Sequence, residues 1–135
     1  MSREIKFRAW DKKEKLMGAV ERLNFEYGEV SLNFFHDYYK DHISFDKVEL
    51  MQYTGLKDCK GVEIYEGDIL KYGSCVEVVF YEPTMGRFMT ELKKCNDESE
   101  IGEISSLSPY YTDNYKVIGN IYQHLELLKD EKSTN

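Results

Sequence analysis

MQYTGLKDCKGVEIYEGDILKY, residues 51–72, is the stretch on which the reading of this chain turns. Two clusters of turn formers, Asp58 to Gly61 and Glu66 to Asp68, interrupt it, with Val62, Ile64, Ile69 and Tyr72 around them at strand spacing. Gly and Asp tolerate the backbone angles that reverse a chain, so short runs of strand formers between such clusters specify antiparallel strands. Gly55, Gly61 and Gly67 are the structural turn residues, Gly67 being free to take positive φ between Tyr65 and Asp68. Asp68 is expected to close its turn by accepting a bond from a nearby backbone amide.

Alternation continues on both sides of this stretch. Ile5, Phe7 and Ala9 alternate with Lys6, Arg8 and Trp10, predicting a strand with one buried face. Leu16 to Val20 returns antiparallel, and Leu23–Tyr27 and Val30–Phe34 flank a two-residue Gly28-Glu29 connection, a hairpin signal. Val48 to Tyr53 reads as a strand and Thr54 to Gly61 as a loop, followed by strands at Glu63–Tyr65, Ile69–Tyr72, Cys75–Tyr81, Arg87–Leu92 and Tyr115–Ile118. Phe35 to Asp46 has no clean period and reads as a loop or short irregular helix. Ile101, Ile104 and Leu107 recur at threes, the spacing of one or two helical turns. Gly119 and Asn120 end the last strand, with Asn120 capping a short C-terminal helix that carries Ile121, Leu125 and Leu128. The pattern predicts a mainly β fold whose strands curl into a small, partly open barrel. Residues 1–46 form a hairpin-rich N-terminal extension, 47–128 the barrel domain and 129–135 a flexible tail.

The 135 residues are 41% apolar and 32% charged, with eleven Tyr, seven Phe, one Trp and two Pro, enough to bury a core and too few breakers for disorder. Net charge is −7, yet residues 1–16 carry six Lys/Arg against three Asp/Glu. An acidic surface repels phosphate, which disfavours broad nucleic-acid binding and leaves only a local basic patch at Arg3, Lys6 and Arg8. No run reaches the roughly 18 apolar residues that span a bilayer, and the N-terminus lacks a signal-peptide core, so a cytoplasmic protein is expected. Cys59, Cys75 and Cys95 are an odd number without a Cys-x-x-Cys pair, which argues against structural zinc and for three reduced thiols.

Catalytic chemistry has weak purchase here. Glu66 and Asp68 would serve as acid and base only in a cleft that splits their pKa values, and a turn explains them better. Thr54-Gly55-Leu56-Lys57-Asp58 lacks the order of a phosphate-binding loop. His36, Asp37, Asp41 and His42 are metal-capable, but a spacing of six does not share a helix face and no further ligand is evident. Nothing pairs a Cys with a His. Trp10 on the first strand serves either as a packing anchor or as a stacking surface for a base beside Arg8.

The elements Ile5-Lys6-Phe7-Arg8-Ala9-Trp10-Asp11, Met51 to Asp58, Gly61, Ile64 to Ile69, and Val117-Ile118-Gly119-Asn120-Ile121-Tyr122 resemble the YopX family of phage and prophage proteins. The resemblance implies an SH3-like β-barrel in the C-terminal part, a β-rich N-terminal extension and a bacterial host cell, and it implies no catalytic residue or cofactor. The expected function is non-enzymatic: a phage accessory protein acting as an interaction or self-assembling module, homo-oligomeric, with a phage or host protein partner and no membrane association. Arg8, Trp10, Tyr53, Tyr65 and Tyr122 are the candidate interaction residues. The alternative is a nucleic-acid-binding protein that uses the N-terminal basic patch.

Overall fold

The computed structural model describes residues 3–110 and 112–129, and the chain divides into two compact units, Met1–Tyr53 and Thr54–Asn135. The tail expected at 129–135 lies outside the described residues except for Lys129.

In the first unit, β1 (Phe7–Asp11), β2 (Leu16–Asn24), β3 (Glu29–Phe35), β4 (Tyr38–Ser44) and the start of β5 (Val48–Lys57) lie in the order β4-β3-β2-β1-β5. Ala9, Val30, Leu32, Ile43 and Val48 form the core on one face, with Val20, Leu23, Phe34 and Phe45 packed against them. Ala9 pairs with Gly18, and a side chain on Gly18 would meet Leu32 and Phe34, so this small pair lets the larger residues close over the strand. Ile5 departs from the expected buried face: it precedes β1 and is 66% exposed. The β2–β3 connection is longer than expected, since Asn24 pairs with Glu29 and leaves Phe25 to Gly28 as a four-residue turn. Gly28 takes φ 65°, ending the turn where a side chain would be strained.

The segment 35–46 is a strand for most of its length, not a loop or helix. Its register against β3 shifts twice, and His36 and His42 adopt φ of 51° and 58°. Bulges insert residues that break the two-residue period, which hides the strand from any alternation test.

In the second unit, the end of β5 lies beside β6 (Glu63–Tyr65), where the Thr54 hydroxyl donates to the Ile64 carbonyl at 2.7 Å. Strand therefore continues to Lys57, where a loop was expected from Thr54. β7 (Asp68–Tyr72), β8 (Cys75–Glu82), β9 (Arg87–Lys94) and β10 (Ile104–Ser106) follow as an antiparallel meander, and β11 (Lys116–Asn120) returns to pair with β7. The order is β10-β9-β8-β7-β11, with β10 and β11 as open edges, so no closed barrel forms among the described residues. Successive side chains on a strand face opposite ways. Leu70 and Val79 pack with Ile64 in one cluster, while Ile69, Val76 and Val78 form another.

Two helical expectations change. Ile104 lies in β10, and Ile101 is 46% exposed beyond a 3-10 turn at Glu98–Glu100. At the C-terminal end the Asn120 carboxamide oxygen accepts from the Tyr122 and Gln123 amides, as a cap would. Past this cap the chain makes a turn, and the expected short helix is a 3-10 helix at Leu125–Leu128 that starts after His124 instead of Asn120. Ile121, Leu127 and Leu128 pack inward, and Leu125 is exposed.

Candidate functional site

The turn residues of the 51–72 stretch hold the second unit together. Asp58 is 6% exposed; its Oδ1 accepts from the Lys60 and Val62 amides at 2.8 and 2.9 Å, and its Oδ2 from the Val117 amide at 2.9 Å. Burial alone would raise this carboxyl, but the amides of Val117, Val62 and Lys60 bring it below its ordinary value. Asp68 Oδ2 accepts from the Tyr65 amide at 2.7 Å, the expected turn closure. Gly67 at φ 82° donates to the Val79 carbonyl and accepts from the Ile121 amide. Gly119 is needed for a different reason: a Cβ there would stand 2.6 Å from His124 Nδ1 and 2.8 Å from its Cβ. These residues build structure, and their carboxylates are spent on backbone amides.

The five candidate interaction residues are not the exposed ones. Tyr53 is buried, and Arg8, Trp10, Tyr65 and Tyr122 are half-buried. In the basic patch, Lys6 forms an ion pair with Glu4 at 3.0 Å and stands 5.9 Å from the Tyr53 ring centre. Phe25, Tyr27, Tyr72, Tyr81 and Tyr110 are exposed at separate places on the chain, while three further exposed aromatics lie together on the β3–β4 hairpin. Phe35, Tyr38 and Tyr39 are 53%, 38% and 60% exposed, and Tyr38 contacts the rings of both Phe34 and Phe35. β4 is also a sheet edge among the described residues. Sequence reasoning passed over this patch because it lies in the aperiodic segment; the density of rings in FHDYY was the only signal. Of the metal-capable residues there, His42 Nδ1 meets Glu29 Oε2 at 2.8 Å. Among the described residues no three His, Cys, Asp or Glu gather as a metal site.

The second unit carries a cleft of about 300 Å³ lined by Tyr72, Cys75, Glu77, Leu92 and Tyr115 among others. Tyr72 and Tyr115 meet edge to face, and Thr90 donates to Glu77 at 2.7 Å. Burial, the Glu77 charge and a hydrogen bond to Glu77 hold the Tyr115 phenol well above its ordinary value, so it stays protonated. Cys75 and Cys95 correct the expectation of three thiols: they are joined as a disulfide, and Cys59 is free and exposed. Val76 pairs with Lys94, so the β8–β9 register sets the two cysteines opposite each other, a relation their spacing of 20 does not reveal.

Among the described residues no helix is long and apolar enough to cross a membrane. No curated protein matches the chain. The crystal structure of protein EF1440 from Enterococcus faecalis is similar, at 30% identity and a TM-score of 0.59 over 95% of this chain and 100% of that one. The YopX protein family model matches residues 6–129, a span that takes in Asp58, Gly67, Asp68, Gly119 and Asn120, and by that match the chain belongs to the YopX family.

Proposed function

We propose that this chain is a non-enzymatic accessory protein of a phage or prophage, and that it works by pairing with a second copy of itself through the β3–β4 hairpin. The observation that carries the reading is the coincidence of a sheet edge with exposed Phe35, Tyr38 and Tyr39. An edge strand offers unpaired backbone groups as a template, and aromatic side chains are favoured anchors at interfaces. A four-strand meander, a 3-10 turn at Thr112–Asn114 and a last strand that returns to the first support an SH3-like half-open barrel in the second unit.

Size-exclusion chromatography with light scattering tests the reading. A dimer or larger species that becomes monomeric on Tyr39→Lys supports it; a strict monomer at about 0.5 mM, where even weak pairs with sub-millimolar Kd associate, sinks it. Nucleic-acid binding through Arg3, Lys6 and Arg8 is disfavoured by the Lys6–Glu4 pair and the net charge of −7. An electrophoretic shift at low salt that Arg8→Glu abolishes would promote it.

A further inference from the structure

A hollow of about 770 Å³ opens in the first unit where the β1–β2 turn, β4 and the segment before β5 come together. Its deepest polar group is Asp11, 1% exposed. Asp11 Oδ1 accepts from the Lys13 and Glu14 amides, both at 2.9 Å, which fixes the carboxylate. Oδ2 is buried and makes no hydrogen bond, and the Lys40 ammonium stands 3.7 Å from it. Lys40 reaches this position because of the bulge in β4. Leu32 pairs with Lys40 and Val30 with Ile43, and Leu32, Val30 and Ile43 all lie in the core. Residues three apart on a regular strand would face opposite ways; the inserted residue puts Lys40 and Ile43 on the same face. Lys12, Lys13 and Lys47 add three more ammonium groups to the lining, and Asp41, Asp46 and Ser44 add acceptors and a hydroxyl. Lys12 is held by Glu49 at 3.2 Å, and Lys40 by Glu14 at 3.3 Å.

We propose that this hollow binds a small phosphorylated polyol, with a hydroxyl donating to Asp11 Oδ2 and the phosphate taken by the lysines. A buried acceptor without a hydrogen bond is costly and calls for a donor. Four lysines interleaved with carboxylates suit a ligand that carries both hydroxyls and an anion. The site goes beyond the pairing reading and stands or falls separately, because its readout is ligand heat and not oligomeric state.

Isothermal titration of the full chain with ribose 5-phosphate, ribose and inorganic phosphate tests it. Ribose 5-phosphate is expected to bind saturably, and each half alone at least about tenfold more weakly. Lys47→Glu, at the rim, should weaken binding about tenfold or more and flatten its salt dependence. Asp11→Asn keeps an oxygen for the turn amides and turns an amide towards the ligand, so it should weaken ribose 5-phosphate more than phosphate. If Asp11→Asn does not fold, Lys47→Glu decides alone. No saturable heat up to about 10 mM, where even a millimolar Kd would register, overturns the site. So does binding that Lys47→Glu leaves unchanged, or phosphate binding as tightly as ribose 5-phosphate.

Discussion

Asp58, read from the sequence as a turn residue, ties its own loop to the last strand of the second unit. One carboxylate satisfies three backbone amides, two in its own loop and one on β11. Asp58→Ala leaves them without an acceptor and should cost about 3 kcal/mol in urea unfolding, since bonds to charged groups are the strong ones. Asp58→Asn should cost less, because its amide oxygen still accepts. The folded carboxyl lies below its ordinary value, so its stabilisation is complete above the unfolded pKa near 4 and is lost as pH falls through the folded one. Asp58→Asn should therefore unfold with less pH dependence below about pH 4 than the parent chain. Gly119 makes a second test at this scale. Gly119→Ala drives a methyl into the His124 ring and its Cβ, and a loss of about 2 kcal/mol is expected by thermal unfolding, partly restored by adding His124→Ala. Both residues are legible in the sequence as turn or loop chemistry. The long-range partner of Asp58 is not, because Val117 lies 59 residues further along the chain.

Elements were legible where runs of strand formers lie between turn residues. β1, β2, β7, β8 and β9 follow from such runs, and Pro83–Gly86 from turn composition. β4 was lost to its bulges, and the helical reading of 101–107 failed because Ile101 and Ile104, 46% and 55% exposed, mark no buried face. The hairpin of β8 and β9 carries a prediction of its own. With Cys75 and Cys95 joined and Cys59 exposed, thiol titration of the native, unreduced protein should count one reactive thiol, and after unfolding in reductant three. Cys95→Ser should lower stability by about 3 kcal/mol under oxidising conditions, following the loop-entropy account of cross-links. Added reductant should then have no further effect. Three thiols in the native, oxidised protein would contradict the pairing.

For the molecule as a whole, both units bury residues on both faces of their strands, so alternation alone could show only part of the fold. In the first unit Met51 and Tyr53 are buried at positions of β5 that alternate against Val48. In the second, Ile69-Leu70 and Val78-Val79 are adjacent apolar pairs. Exposure was least legible, because exposure of a tyrosine is decided by what packs over it, and Tyr53, Tyr65 and Tyr122 are buried or half-buried. A division after residue 46 gives β5 to the second unit, but Val48 belongs to the core of the first, and β5 pairs with β1 from Val48 to Gln52. A fragment of residues 1–46 leaves β1 as an open edge and removes Val48 from its core. That fragment should show no dispersed amide signals by NMR, because a unit this small has little burial to spare. Extension to residue 57 restores the whole of β5 and should restore dispersion. Equal dispersion in the two fragments would place β5 outside the folding unit of the N-terminal half.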